Sequence, residues 1–387
     1  MSKKIAVFTG GGHIGGFNSG LSGIWERGEQ LGWDIYGAID GWSGLARVKF
    51  VNLSGEEVAN YAGKGGSILG SSRYKPGLEE LKSAVSEYDI DGVVALGGDD
   101  TLGILARLWE EADVPAVGWP KTMDNDLSGT YFTIGYPTAV DQAGRLVRES
   151  ADMAYTHGRV MINTLFGRGT DWMAAGACAF GDADLVVPGE ETVSINEIYK
   201  EVKKIYLENR EKYGKGFAVV VAAEGASIKG LSSHRMESEE FDEFGHVKLS
   251  PKLLALSLSE AIQDISKEEF GERFSTAHQA LTYLLRNGPA NEVDKEMGYK
   301  AGCHCVELLN KNKPGKMASI QHERGSGLTI DSVKLTKAAK QRDVKGSGYI
   351  DYSDFCVTDA YLEYSRPFMG EKRNKEINLL GREKVIQ

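Results

Sequence analysis

Two neighbouring segments of the chain carry side chains that could together transfer a phosphoryl group. Asp99 and Asp100 follow two glycines in GGDDT, and Lys121, Asp124 and Asp126 lie close together in GWPKTMDND. Phosphoryl transfer needs a base for the attacking hydroxyl and positive charge on the moving group. Asp99 could hold Mg²⁺, Asp124 could be the base, Lys121 could supply charge, and Asp126 could position Asp124 or share the metal.

Two glycine-rich segments, 9–20 (TGGGHIGGFNSG) and 63–74 (GKGGSILGSSRY), also favour phosphate binding. Glycines allow backbone amides to close on phosphate oxygens, and Arg73 ends the second segment with a guanidinium that suits a phosphate. The first segment also fits the GxGxxG pattern of dinucleotide-binding folds, and GGDDT also resembles the loop of NAD and lipid kinases. The first alternative leaves PKTMDND and GGSILGSSR unexplained, and the second leaves the second half of the chain unexplained.

The chemistry-bearing segments follow short apolar runs that read as buried strands. The 387 residues suit two α/β domains, and apolar runs alternate with amphipathic helical patterns. This alternation predicts parallel sheets covered on both faces, with ligand-binding loops at the carboxyl edge of each sheet. The predicted strands are 4–9, 91–96, 114–118, 159–165 and 217–223.

Composition narrows the function classes. The net charge of −10 argues against nucleic-acid binding, so anionic substrates would depend on local cations. The four cysteines show no CxxC spacing, which is typical of reduced thiols rather than a metal site. The N-terminus enters a strand at once, and no apolar run could span a membrane. We therefore expect a cytoplasmic protein.

Taken in order, these segments resemble the phosphofructokinase family over nearly the whole chain. Within the first 140 residues the similar segments are TGGG, GGSILGSSR, GGDDT and PKTMDND. Later ones are FGRGTDWMA, AEGA, YLLRNGPANEVD and YLEYSRPFMG, the last of which resembles the ending of pyrophosphate-using members. The resemblance implies two doubly wound, three-layer α/β domains: a donor domain of 1–136 with 286–335, and an acceptor domain of 137–285 with 336–387.

The resemblance also implies roles for individual residues. It implies Asp124 as the base, assisted by Lys121 and Asp126, and Asp99 as the Mg²⁺ ligand. The donor phosphates would be contacted by Gly11, Arg73, Asp100 and Lys121. The acceptor would be contacted by Thr122, Arg159, Phe166, Gly167, Arg168, Glu224, Tyr283 and Arg286. In the family the arginine matching Arg159 reaches across a subunit interface, which implies a homodimer or homotetramer.

Two positions indicate the phosphoryl donor. ATP-using relatives have glycine where this chain has Asp100 and Lys121, whereas pyrophosphate-using relatives have aspartate and lysine. A carboxylate at 100 would repel the α-phosphate of a nucleotide, and a lysine at 121 would hold compact pyrophosphate. The resemblance therefore implies reversible transfer from pyrophosphate to the 1-hydroxyl of fructose 6-phosphate, giving fructose 1,6-bisphosphate and phosphate.

Departures from the family pattern leave the acceptor open. They are His13, Gly15, Phe166, Asp171, Ala277, Leu285 and Asn287, and Ala277 stands where a phosphate-binding arginine is expected. Arg273 or His278 could substitute. The alternatives are a pyrophosphate-dependent kinase of another sugar phosphate or a polyol, and a non-catalytic sugar-phosphate sensor. Two polar segments also predict a long connection at 225–250 and a lid-like segment at 320–350.

Overall fold

The chain forms two compact α/β units in the computed structural model. The structure describes residues 2–231 and 249–379, apart from 324, 326, 339, 374, 376 and 378. The first unit comprises Met1–Thr138 with Arg286–Arg342, and the second comprises Ala139–Leu285 with Asp343–Gln387. Most of the predicted connection at 225–250 lies outside the described residues. No helix among the described residues is long and apolar enough to cross a bilayer.

The strands and helices alternate along much of the chain. In chain order they are β1 (Lys4–Thr9), α1 (Phe17–Gln30), β2 (Asp34–Ala38), α2 (Trp42–Ala46), β3 (Phe50–Asn52), α3 (Gly55–Tyr61), α4 (Leu78–Glu87), β4 (Gly92–Gly97), α5 (Asp99–Ala112), β5 (Ala116–Pro120), α6 (Tyr136–His157), β6 (Val160–Leu165), α7 (Trp172–Phe180), β7 (Leu185–Val187), β8 (Thr192–Ser194), α8 (Ile195–Tyr213), β9 (Ala218–Ala223), β10 (Ser227–Lys229), α9 (Pro251–Phe270), β11 (Thr276–Leu281), α10 (Glu292–Asn310), β12 (Lys316–Glu323), β13 (Gly327–Lys334), α11 (Leu335–Ala338), β14 (Ile350–Asp351), β15 (Cys356–Val357) and α12 (Asp359–Met369). A short 3₁₀ helix, Tyr283–Arg286, precedes α10.

The first unit is built on a seven-stranded sheet in the order β13-β12-β5-β4-β1-β2-β3. The five inner strands are parallel, and the edge strands β13 and β3 are antiparallel to their neighbours. Thr9 pairs with Leu96, and Gly97 pairs with Pro120, so β1, β4 and β5 end side by side. The loops that follow these three strands therefore meet at one edge of the sheet.

Helices cover both faces of this sheet, as expected for a doubly wound unit. Side chains from β1, β4 and β5 pack with α4, α5 and α11 in one apolar cluster, whereas α1 packs along α10 on the other face. Every residue of β4 is buried, which explains its uninterrupted apolar sequence. The confirmed α/β fold thus places the glycine-rich and acidic loops at a rigid sheet edge.

The second unit has a parallel four-stranded sheet in the order β11-β6-β9-β7. Helices α8 and α9 pack on one face through a cluster that includes Ile162, Val220 and Leu258. Helix α6 covers the other face, where Ser150 donates to Asn163 of β6. Leu165 pairs with both Ala223 and Leu281, so the loops after β6, β9 and β11 also meet at one edge.

The prediction of a lid-like segment at 320–350 is wrong for its first part. Strands β12 and β13 pair antiparallel from Lys316 with Lys334 to Glu323 with Gly327. Glycines and charged side chains at a solvent-facing edge strand are compatible with a hairpin, and composition alone does not distinguish this arrangement from a loop.

Candidate active site

The loop after β1 lies directly beside the lysine that follows β5. Gly11 has φ of +77°, and a Cβ there would lie 3.1 Å from Lys121 Nζ. The same ammonium donates to the carbonyl oxygen of Gly12 at 3.0 Å. A side chain at position 11 would therefore be strained and would crowd the cation. The glycine allows the backbone and a buried positive charge to approach each other closely.

Lys121 is a cation held away from water. It is 6% exposed, and its amide donates to Gly97 O at 3.1 Å. Burial, together with the positive charge of Arg286, lowers the pKa of Lys121 to about 8, although Asp124 and Asp99 act in the opposite direction. The lysine therefore keeps its charge at neutral pH at an energetic cost, which an anionic ligand would relieve.

The segment after Lys121 is a tightly bonded loop that carries two carboxylates. Asp124 is buried and its amide donates to Thr122 Oγ1 at 3.0 Å. Thr133 returns to the loop, donating from Oγ1 to Thr122 O at 2.7 Å and from its amide to Asn125 Oδ1 at 3.0 Å. Burial beside Asp124 raises the pKa of Asp126 well above its usual range.

The two acids of GGDDT begin helix α5. The N-cap residue is Gly98, so Asp99 and Asp100 occupy the first turn and capping does not account for either of them. Both side chains are exposed at the carboxyl edge of the sheet. Asp100 forms an ion pair with Lys75 at 3.7 Å. Sequence reasoning did not identify this lysine, because it lies outside the motifs.

A divalent cation suits this group of carboxylates. Asp99 and Asp124 both raise the pKa of Asp126, which places three negative groups within electrostatic reach of one another. The described residues contain no cluster of three or more His, Cys, Asp or Glu arranged as a metal site. Mg²⁺, however, is commonly held by one or two carboxylates together with substrate phosphates and waters. The donor set therefore fits Mg²⁺ bound jointly with a phosphate ligand.

The segment that carries Arg73 is fixed to the β1 loop by hydroxyl groups. Ser71 Oγ donates to Gly11 O at 2.6 Å, and Thr9 Oγ1 donates to Gly70 O at 2.5 Å. Arg73 follows directly and its side chain is exposed. The structure thus brings the predicted donor residues Gly11, Arg73, Asp100 and Lys121 to the same sheet edge.

Arg286 lies beside the β1 loop in the first unit. A Cβ at Gly12 would overlap its guanidinium, so a larger residue there would require the end of the Arg286 side chain to move. Two departures from the family pattern lie nearby and contact each other, since His13 Nε2 and Asn287 Oδ1 are 3.2 Å apart. The two changes are thus structurally related, although 274 positions separate them in sequence.

In the second unit, the loop after β6 is held by Glu224. One carboxylate oxygen accepts hydrogen bonds from the amides of Gly167 at 3.2 Å and Arg168 at 2.7 Å. Arg168 has φ of +52° and an exposed side chain. The ring of Phe166 meets Tyr283 edge to face, with centroids 5.4 Å apart. The structure therefore groups Phe166, Gly167, Arg168, Glu224 and Tyr283.

Asp171 holds the far end of the same loop, a role that sequence reasoning missed. Its carboxylate accepts from the amide of Gly189 at 2.6 Å and from the hydroxyl of Tyr352 at 3.2 Å. Its own amide donates to Glu190 at 2.8 Å. Burial raises the pKa of Asp171 to about 6. The only sequence signal was that Asp171 departs from the family glycine.

Arg159, and the positions at which a phosphate-binding arginine was sought, lie at or near the beginnings of strands in the second unit. Arg159 directly precedes β6, and its backbone bonds to Ala154 and Ala218. Ala277 lies on the edge strand β11 opposite Met161. Arg273, considered above as a substitute cation, forms an ion pair with Asp264 at 2.8 Å.

Comparisons with known proteins agree with this architecture. The family model described as phosphofructokinase matches residues 4–309. A pyrophosphate–fructose 6-phosphate 1-phosphotransferase of Dictyoglomus thermophilum is 31% identical over 329 residues, covering 83% of this chain and 90% of the relative. An ATP-dependent 6-phosphofructokinase of Streptomyces coelicolor is 32% identical over 343 residues, covering 87% of this chain and 95% of the relative.

A solved structure extends the similarity to the fold. A pyrophosphate-dependent phosphofructokinase of Marinobacter aquaeolei superposes with a TM-score of 0.78 at 20% identity, covering 100% of this chain and 98% of that chain. Relatives that carry pyrophosphate-dependent and ATP-dependent names are thus similarly close in sequence.

Proposed function

Because the chain belongs to the phosphofructokinase family, we propose that it moves a phosphoryl group from pyrophosphate to the 1-hydroxyl of fructose 6-phosphate. The products are fructose 1,6-bisphosphate and phosphate, and the reaction is reversible. The observation that carries the choice of donor is the buried ammonium of Lys121 beside the β1 loop, together with Asp100 at the start of α5.

These two residues favour a small, highly charged donor. Lys121 holds a positive charge out of water at a cost that Asp124 and Asp99 offset only in part, and pyrophosphate would relieve the remainder. By comparison with the glycine of ATP-using relatives, Asp100 would place a carboxylate where the chain of a nucleotide continues, and it lies 3.7 Å from the Lys75 ammonium. A carboxylate repels an α-phosphate but does not hinder a donor that ends at its second phosphate.

Asp124 would act as the base of the transfer. It accepts the proton of the 1-hydroxyl while that oxygen bonds to phosphorus and the bridging bond of pyrophosphate breaks, releasing phosphate. Lys121 stabilises the negative charge on the departing phosphate, and Asp126 orients its neighbouring carboxylate. Asp99 would hold Mg²⁺, which supplies charge neutralisation on the phosphate oxygens when bound.

The second unit would bind the acceptor. Arg168 and Arg159 supply cations, and the Glu224 carboxylate holds the loop that presents Arg168. Tyr283 adds an aromatic ring beside Phe166, and Thr122 and Arg286 complete the proposed acceptor set. Arg159 would act across a subunit interface, so we propose a homodimer or homotetramer.

A second candidate is the same transfer to another acceptor. Ala277 has no charge, and Arg273 forms an ion pair with Asp264. Of the two substitutes, therefore, only His278, the next residue of β11, forms no ion pair among the described residues. Loss of one charge-assisted hydrogen bond costs roughly 1.5–3 kcal/mol. A different sugar phosphate or a polyol would be bound without that penalty.

The donor assignment is tested with the double variant Asp100→Gly, Lys121→Gly. We expect it to lose pyrophosphate-dependent turnover and to gain ATP-dependent turnover. The control is Lys200→Met, which replaces an exposed lysine on α8 and should change neither activity. If ATP remained inactive and pyrophosphate turnover were unchanged, the donor assignment would be wrong. Isotope exchange between pyrophosphate and phosphate, measured with fructose 6-phosphate and fructose 1,6-bisphosphate both present, would separate an enzyme from a sugar-phosphate sensor.

A further inference from the structure

The guanidinium of Arg342 lies within the loop that carries Asp124 and Asp126, although it is 217 positions beyond Asn125 in sequence. Its Nη2 donates to Asn125 O at 2.9 Å and to Asn125 Oδ1 at 2.6 Å. Its Nη1 donates to the carbonyl oxygens of Thr130 at 2.8 Å and Tyr131 at 2.9 Å. One side chain thus joins Asn125 to residues 130–131 across the loop.

The backbone around Arg342 reinforces this contact. Its amide donates to Asp126 O at 2.8 Å, and Leu127 forms an antiparallel bridge with Gln341. The amide of Ser128 donates to the carbonyl oxygen of Lys340 at 3.1 Å. Residues 340–342 therefore run along residues 126–128 as a short clamp.

The central residue of the loop adopts a conformation that must be maintained. Asn125 is fully buried with φ of +55°, a left-handed conformation that asparagine adopts more readily than most residues when its side chain is hydrogen-bonded. It stands between Asp124 and Asp126, so its dihedral angles set the direction in which both carboxylates leave the backbone. Arg342 binds both the carbonyl and the side-chain oxygen of Asn125, and the amide of Thr133 donates to the same side-chain oxygen. Arg342 is the one of these two partners that also holds the Asn125 carbonyl.

We propose that Arg342 is a positioning residue of the transfer reaction, which holds Asn125 and thereby aims Asp124 at the acceptor hydroxyl. This inference rests on the proposed function for its kinetic consequences. Its structural part, that the guanidinium fixes the loop, stands apart from the identity of the donor and the acceptor.

The geometry calls for an arginine at this position. The guanidinium presents a planar fork of donors, and here Nε, Nη1 and Nη2 all bond to carbonyl or amide oxygens of the loop. A lysine has one nitrogen at its tip and cannot bind Asn125 and residues 130–131 at once with the same geometry. Arg342→Lys should therefore retain the charge and lose part of the positioning.

The donor side of the site does not depend on Arg342. Lys121 is held by its amide bond to Gly97 O and by the bond from its Nζ to Gly12 O. Removing the guanidinium should therefore lower kcat while leaving pyrophosphate binding nearly unchanged. A change that merely loosened the first unit would weaken both.

The test compares Arg342→Ala and Arg342→Lys with the native protein and with Arg27→Ala. Arg27 is a matched control, since it joins α1 to Glu307 of α10 in the same unit without contacting the loop. We expect kcat to fall about 10²-fold in the alanine variant, as for a catalytic group misplaced by about 1 Å. We expect an intermediate loss of about tenfold in the lysine variant and a pyrophosphate KM within about threefold of native.

Hydrogen–deuterium exchange of residues 122–134 supplies a second readout that needs no turnover. The expected result is faster exchange of this loop in both Arg342 variants and unchanged exchange in Arg27→Ala. If the native protein lacked pyrophosphate-dependent activity, the proposed function would fail and exchange would still decide whether Arg342 fixes the loop.

The proposal is overturned if the loop exchanges at the native rate in the Arg342 variants, or if an active enzyme keeps kcat within about threefold in both. It is also overturned if kcat and pyrophosphate binding fall together. If the alanine variant does not fold, the lysine variant, which keeps the charge and most of the volume, decides the question by the same measurements.

Discussion

Replacing Lys121 with methionine should make the protein more stable while it weakens the donor site. The ammonium is buried beneath the β1 loop, and its surroundings disfavour the charged form. Methionine fills a similar volume without a charge. The variant therefore separates the stability of the fold from the chemistry of the site, because the two should change in opposite directions.

The size of the effect follows from the pKa of the lysine. A fall from 10.5 to about 8 corresponds to roughly 3 kcal/mol against the charged form. This figure already includes the attraction of Asp99 and Asp124 for the ammonium, and part of the gain is offset because methionine cannot donate to Gly12 O. We expect the free energy of unfolding at pH 7 to rise by about 1–3 kcal/mol.

The stability gain should depend on pH with a defined sign. In the folded protein Lys121 loses its proton near pH 8, whereas the unfolded chain keeps it to about pH 10.5. The native protein therefore gains stability relative to the variant as pH rises between these values. The advantage of the variant should shrink to roughly 1.4 kcal/mol or less by pH 9.5.

Urea denaturation at pH 7 and pH 9.5 measures the change in the free energy of unfolding, and steady-state kinetics measures the change in the KM for pyrophosphate. The loss of one charged contact should raise the KM for pyrophosphate about 10-fold to 100-fold. Lys200→Met, in which an exposed lysine is replaced, should change neither quantity. A less stable Lys121→Met variant with an unchanged pyrophosphate KM would refute the reasoning.

Three further predictions concern the side chains of Asp124, Lys121 and Asp171. Asp124→Asn should lower kcat by at least about 10²-fold in a folded protein, and retention of more than about 1% of kcat would exclude the aspartate as the base. The kcat/KM for pyrophosphate should decline above about pH 8 as Lys121 loses its proton, and Lys121→Arg should remove this decline because a guanidinium stays charged; identical pH profiles would assign the decline to another group. Asp171→Gly removes the bonds to Gly189 and Tyr352 and should raise the KM for fructose 6-phosphate about tenfold with an unchanged pyrophosphate KM, whereas equal changes in both would contradict a local role.

The strands and the loops that follow them could be predicted from the sequence, because a strand buried on both faces is apolar along its whole length. Strands such as β4 and β9 are buried along their whole length and therefore appear as uninterrupted apolar runs. The chemistry-bearing segments follow these runs directly. Parallel pairing then brings Gly11, Asp99 and Lys121 to one edge without further information.

Residues that hold the loops were not accessible in the same way. Two contacts form only in the tertiary fold: Arg342 with Asn125, and His13 with Asn287. The sequence around each residue gives no indication of its partner. Asp171 was noticed as a departure from the family, but its bonds to Gly189 and Tyr352 depend on segments that no local pattern links. Side-chain contacts over such separations require the structure.

The central claim, that pyrophosphate is the phosphoryl donor, is tested most directly by initial rates with fructose 6-phosphate and Mg²⁺. Pyrophosphate and ATP are supplied to the purified protein in parallel at equal concentration. We predict rapid formation of fructose 1,6-bisphosphate with pyrophosphate and a rate lower by about 10²-fold or more with ATP. Turnover with ATP and none with pyrophosphate would contradict the roles given to Asp100 and Lys121.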